Sequence, residues 1–384
     1  MERIRCIFIA VVLMFMMGQA KICYASEESQ ESITEELEQQ IIGQLDTSEI
    51  EAIIGDVFID DKIKFSELLT SVLKGDYEEI NEMAYQYIVT QFFYELSYNR
   101  ATLIHIVLLT VFASIFTNFS SAFGEEQIAS LGFYILYLML LIISLQSFQV
   151  MIESITGNVE NVLLFMSALC PVYFLTVAIA SGQNSAIVFY NLSLLYIYVV
   201  ELLVVSVVLP LTNAFIVIQV LNYLTDEKRL SKLAELVKKT IGWILKLMLA
   251  GVIGLNVIQG LIAPMMDNVQ QSIWLRSAEA IPIVGDAMSG TGEVVLGTLK
   301  LIKNGVGVVG LILCIGITIG PIIQMSILTF LYKFVAAVVE PVADKRISGC
   351  LNCVGDGCEI LLKTIMGVSV LFLITIAVVA ATTS

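Results

Sequence analysis

A chain of 384 residues that is 58% hydrophobic and only 14% charged carries about half the charge of an ordinary soluble domain, which excludes a fold with a water-facing surface all round. A net charge of −15 argues against nucleic acid as a partner, because polyanions would be repelled. Seven cysteines are present, but none lies between residues 24 and 169, so the acidic part of the chain does not depend on disulfides.

In chain order, Arg3 and Arg5 precede an apolar run from Cys6 to Met17. That run is short for a membrane span and suits the core of a signal peptide. A signal peptide over 1–25 follows, with cleavage after Ala25 preferred to cleavage after Ala20, which would leave Lys21 at the mature start. An uncleaved anchor is the alternative; either way the next segment is exported. Residues 26–98 form that segment, and residues 26–100 hold 18 of the 35 acids against four bases, Lys62, Lys64, Lys74 and Arg100. Leu37, Ile41 and Leu45, then Phe65, Leu68, Leu69, Val72 and Leu73, recur at helical spacing. So few large apolar side chains make a marginal core, and the region is expected to pack on its own membrane portion or on a partner.

Membrane helices are expected over 99–263. Between Arg100 and Glu125 lie 24 residues without formal charge, between Glu126 and Glu153 another 26, and between Glu160 and Glu201 another 40. Roughly 20 apolar residues cross a hydrocarbon core, giving spans near 101–122, 128–151, 161–180, 186–209 and 241–263. A shorter stretch, 211–225, follows Pro210 and either crosses or re-enters. Residues 226–240 read as an amphipathic basic helix at the interface, with Leu230, Leu233 and Val237 on one face and Lys228, Arg229, Lys232, Lys238 and Lys239 around the others. Residues 264–303 read as a mixed loop or re-entrant region, and 304–384 as C-terminal membrane helices: 304–320 and 322–340 about Pro321, a loop at 341–359, and a last span near 360–380. The fold class is all-α, a polytopic helical membrane protein of about eight or nine membrane segments with a small helical exported N-terminal region. Its topology stays open. If 211–225 crosses, the basic helix is cytoplasmic and Lys345 and Arg346 fall outside; if it re-enters, the two groups exchange sides.

The available chemistry is sparse. His105 is the one histidine, and it reads as a polar residue of a helix bundle. No phosphate-binding loop, nucleophile elbow or zinc-protease helix occurs, and neither an enzyme nor a cofactor is expected. Cys350, Cys353 and Cys358 lack the fourth ligand of a structural zinc site and read as a thiol-rich loop, with one disulfide possible if that loop is extracytoplasmic. Glu201 stands amid otherwise uncharged residues from 161 to 225. It is a proton or substrate contact facing the bundle interior, or else a carboxylate near an interface or bonding across helices. Gly316-x-x-x-Gly320 is a close-packing pattern; with Pro321 directly after, it is alternatively a broken helix of the transporter kind. On that alternative the chain is a stand-alone solute permease with Glu201 and the Gly316–Pro321 break as coupling features.

The C-terminal third carries distinctive strings: Ala280-Ile281-Pro282-Ile283-Val284-Gly285, Leu301-Ile302-Lys303-Asn304-Gly305-Val306-Gly307, Glu340-Pro341-Val342-Ala343-Asp344-Lys345-Arg346-Ile347 and Cys350-Leu351-Asn352. With the order of signal peptide, acidic segment and spans, these resemble the stage III sporulation protein AE family of endospore-forming bacteria. The resemblance implies the polytopic part of a channel or secretion-like complex in the mother-cell membrane around the engulfed forespore. It also implies partners of the same complex, an AA-type ATPase and AG- and AH-type proteins between the membranes, besides membrane lipid. The acidic segment would face the intermembrane space. The basic helix would face the mother-cell cytoplasm, where its grouped bases either bind anionic lipid or dock an acidic surface of the ATPase.

Overall fold

A computed structural model describes residues 47–58, 64–122, 126–181, 185–224, 230–278, 289–341 and 344–382. The signal peptide expected over 1–25, residues 26–46, Lys228, Arg229, Ile281, Pro282 and Gly285 lie outside these. Among the described residues there is helix and no strand, as the all-α reading requires. The first two helices are short and amphipathic: α1 (Ser48–Val57) buries Ile50 and Ile54, and α2 (Phe65–Lys74) buries Phe65, Leu68, Leu69 and Val72. Gly75 ends α2 at φ +74°, where its N–H reaches the Val72 carbonyl and the Asp76 N–H reaches that of Ser71. A left-handed residue satisfies the last carbonyls in this way, and glycine takes that conformation without a Cβ clash.

Long helices follow: α3 (Glu78–Ala122), α4 (Glu126–Ser181), α5 (Ser185–Leu203), α6 (Leu209–Leu224), α7 (Ser231–Ala278), α8 (Ser289–Val339) and α9 (Lys345–Thr382). Among the described residues, five stretches are long and apolar enough to cross a membrane: Ile80–Ala113, Tyr134–Val177, Asn191–Tyr223, Lys300–Val339 and Lys345–Ala377. The described residues do not confirm the count of eight or nine, and helices run on where the sequence suggested a reversal. Expected spans 128–151 and 161–180 are one 56-residue helix, α4, passing through Glu153, Glu160 and Pro171. At about 84 Å it far exceeds a bilayer of about 40–45 Å with headgroups, and a helix that does not turn cannot cross twice. Expected spans 304–320 and 322–340 are likewise one helix, α8, with Pro321 inside it, so the broken-helix reading is corrected. Residues 211–225 neither cross separately nor re-enter. They end the pass that α5 begins, joined by a π-turn at Val204–Val208. Proline in an α-helix clashes with the carbonyl four residues back, and for Pro210 that is Ser206, inside the widened turn.

Two further boundaries move. Helix α3 begins at Glu78 and runs unbroken through residue 98, so the end of the segment expected to be exported shares a helix with the first apolar run. The loop expected at 341–359 shrinks to the corner between α8 and α9, and Cys350, Cys353 and Cys358 lie on α9. Glycines made that stretch read as a loop, but neighbouring side chains fill the space they leave. A Cβ on Gly349 would stand 2.2 Å from the Tyr223 ring, one on Gly355 2.8 Å from Lys333, and one on Gly357 2.3 Å from Ile216. At the corner, Pro341 follows the last turn of α8, and Asp344 accepts the Arg346 N–H at 2.8 Å to cap α9.

Contacts between helices fix their directions. Tyr87 touches Gly320 while Tyr98 and Asn99 lie with Gln324 and Leu328, so α3 and α8 are parallel. Leu169 packs on Gly310 and Ser154 bonds Gln324, so α4 runs against α8. Lys333 meets Glu359 and Thr318 meets Ser369, so α9 also runs against α8. Tyr223 lies on Gly349 with Ile216 on Gly357, setting α6 against α9; Lys238 meets Asp356 with Leu245 near Gly367, setting α7 along α9. The described residues therefore make six passes of alternating direction. One end of the bundle carries Lys232, Lys238, Lys239, Lys345 and Arg346. The other carries α1 and α2, whose Leu69 and Leu73 lie on Gly305 and whose neighbour Phe58 lies on Gly316. Packing of the acidic segment on its own membrane portion is thus what the structure contains.

Candidate functional site

Between the two ends a polar layer crosses the bundle. Its first part is a seam of α3, α4 and α8 around Glu95, only 4% exposed. Gln91, Glu95 and Asn99 follow one face of α3 at four-residue spacing. The Glu95 carboxylate accepts from the Asn99 amide at 3.1 Å, from the Gln91 amide at 3.4 Å and from the Gln324 side chain. Gln324 in turn accepts from the Ser154 hydroxyl at 3.1 Å, closing the seam across three helices. Among the described residues no base lies within ion-pair distance of Glu95, so neutral amides alone hold it. A pocket of about 150 Å³ opens beside the seam, lined by Tyr98, Asn99, Ser147, Gln324 and Tyr332 among others. A buried carboxylate in neutral surroundings exchanges a proton readily and binds cationic or hydrogen-donating groups.

The second part is a chain of alternating charge on α7, α8 and α9. Asp356 receives Lys238 at 3.0 Å and Lys333 at 3.1 Å; Lys333 also pairs with Glu359, which receives Lys363 at 2.5 Å. Lys238 stands 5.7 Å over the Phe215 ring. Gly355 is needed here, because the Lys333 side chain occupies the place of its missing Cβ. Each central charge has two partners, so the chain fixes the axial register of α8 against α9 more than a single pair would.

Sequence reasoning missed Glu95, which was counted with the acidic exported block. The available signal was the polar stripe Gln91, Glu95, Asn99 opposite Gln324, an amide deep within the 29-residue uncharged run 304–332. Glu201, expected to face the interior, lies on the exposed outer face of α5, a correction with its reason in the packing. Val200 and Val204 fill the buried side of that turn. His105 is exposed beside Ile104 on α3. Of the basic set, Lys238 is bound within the chain to Asp356, and Lys239 pairs with Glu235 at 2.8 Å, holding the Glu235 carboxyl below its usual range. Lys232 is exposed. Lys303 is buried, while Asn304, Pro341, Asp344 and Lys345 are exposed and Arg346 partly so. The described thiols, Cys170, Cys314, Cys350, Cys353 and Cys358, are all buried and free. The possible disulfide among the last three is therefore absent, and among the described residues no cluster fits a metal.

Alternating long helices, with five stretches among the described residues fit to cross a membrane, define a polytopic α-helical membrane protein. Residues 63–383 match the family described as stage III sporulation protein AE, and the chain belongs to that family. It is 25% identical over 397 residues to the stage III sporulation protein AE of Bacillus subtilis (strain 168), covering 99% of this chain and 97% of that one. No solved structure matches it.

Proposed function

We propose that the chain is the polytopic membrane component of a mother-cell-to-forespore channel or secretion-like complex, needed for sporulation after engulfment. It lies in the mother-cell membrane around the forespore, with its basic end in the mother-cell cytoplasm and its acidic end in the intermembrane space. The observation that carries this reading is polarity: Lys232, Lys238 and Lys239 share one end with Lys345 and Arg346, while the acidic helix α1 and the neutral α2 pack toward the other. Short basic segments beside spans stay cytoplasmic, and one orientation now serves both basic groups. AG- and AH-type proteins would meet the acidic end. The AA-type ATPase would meet the basic end and supply the nucleotide chemistry for which this sequence has no phosphate-binding loop.

Lys232 and Lys239, with Lys228 and Arg229 just before them, are the proposed docking bases; charge complementarity speeds and orients such an encounter. Lys238 is left out, because its loss would break the ion chain. Reversing Lys232 and Lys239 to Glu is expected to abolish recruitment of the ATPase to membranes while the protein stays inserted. Undiminished recruitment contradicts the docking, and normal spore formation in a strain lacking this chain contradicts the wider role. The permease alternative loses both its features, since α8 is unbroken at Pro321 and Glu201 faces outward.

A further inference from the structure

Glu201 and Lys246 are charges in the wrong place for a chain that sits alone in lipid. Glu201 lies on the outer face of α5 among Leu195, Tyr198 and Leu202, all exposed. Lys246 lies on the outer face of the adjacent α7 with Trp243, 76% exposed, and Leu247, 71% exposed. Neither makes an ion pair with a described residue of its own chain. Their heights agree. The Tyr196 hydroxyl donates to the Met248 carbonyl at 3.4 Å, tying α5 to α7. Glu201 lies five residues beyond Tyr196 and Lys246 two before Met248, both toward the basic end because the helices are antiparallel. At about 1.5 Å per residue the two charges differ in height by roughly 5 Å.

We propose that two copies of the chain pair side by side through these faces, Glu201 of each copy against Lys246 of the other. A two-fold axis normal to the membrane preserves height, so reciprocal pairs require an acid and a base at matching level on neighbouring helices. That is the arrangement found. The occupant is a second copy because the complementary charge is supplied by the same chain at the same height. Gly251 and Gly254, which face outward with nothing within 4 Å of a would-be Cβ, leave room for a helix to approach.

The test uses the full chain with two different tags, co-expressed and recovered from membranes in mild detergent. Wild-type copies are expected to recover each other. Glu201→Lys alone, or Lys246→Glu alone, is expected to reduce recovery by about tenfold or more, as loss of a desolvated charge pair does. Mixing a Glu201→Lys chain with a Lys246→Glu chain is expected to restore it, because both cross-pairs are then of opposite sign; restoration also demonstrates that each variant folds. The proposal is overturned if wild-type copies do not recover each other, or if single reversals recover normally. It is equally overturned if mixing fails, including the case where only the double reversal within one chain assembles, which would make the pair intramolecular.

Discussion

Glu95 shows how much a position depends on its neighbours across the bundle. Its carboxylate satisfies amide donors of Asn99, Gln91 and Gln324, and without it Gln91 and Gln324 lose that acceptor while Asn99 keeps the Glu95 backbone carbonyl at 3.0 Å. A buried donor without a partner costs about 1–3 kcal/mol. Glu95→Leu is therefore expected to destabilise the protein by about that amount, and Glu95→Gln by less, since its carbonyl still accepts. Thermal unfolding of the purified variants in detergent reads the difference. Equal stability of Glu95→Leu and wild type would remove the seam from the account. Glu201, by contrast, drew attention through its isolation in the sequence. A charge at the centre of a span costs about 2.5–3.5 kcal/mol, which predicts shelter without saying whether the shelter is inside the chain or outside it.

At the scale of elements, glycine carries opposite meanings in different places. On α9, Gly357 lets Ile216 and Phe148 approach to within 2.3 and 2.6 Å of where a Cβ would be. Gly357→Ala is expected to cost about 1–3 kcal/mol through overpacking. Gly157 on α4 has open space around it, and Gly157→Ala is expected to be neutral or to stabilise by up to about 1 kcal/mol, as alanine does in a helix. Unfolding midpoints of the two variants should move in opposite directions or differ clearly; a shift at Gly157 as large as at Gly357 would contradict the packing described. Helix α2 was legible because Phe65, Leu68, Leu69 and Val72 keep their spacing wherever they dock. The corner at Pro341 and Asp344 was marked by residues that stop and cap helices. Continuity through Pro171, Pro210 and Pro321 was not legible. Proline biases only its own turn, and neighbouring helices decide whether that bias becomes a reversal, a π-turn or nothing. The α9 glycines misled for the same reason, because the rings and chains that fill their gaps come from residues 148, 216, 223 and 333.

The whole molecule turns on direction. Counting apolar windows as crossings left the two basic groups on opposite sides, because each extra reversal exchanges the sides of everything after it. Six alternating passes bring Lys232 and Lys345 to the same end, and the contacts of α2 with Gly305 and of Phe58 with Gly316 set α1 and α2 toward the other. Glu95 is then buried among amides, and the charges of α7, α8 and α9 are paired with one another. Single cysteines at positions 232, 345 and 67, labelled with a membrane-impermeant maleimide in intact and in opened cells, test this arrangement most directly, because the native thiols described are buried and give little background. Cysteines at 232 and 345 are expected to react only after the cells are opened, and the one at 67 in intact cells; labelling of 232 and 345 from opposite faces would contradict the fold.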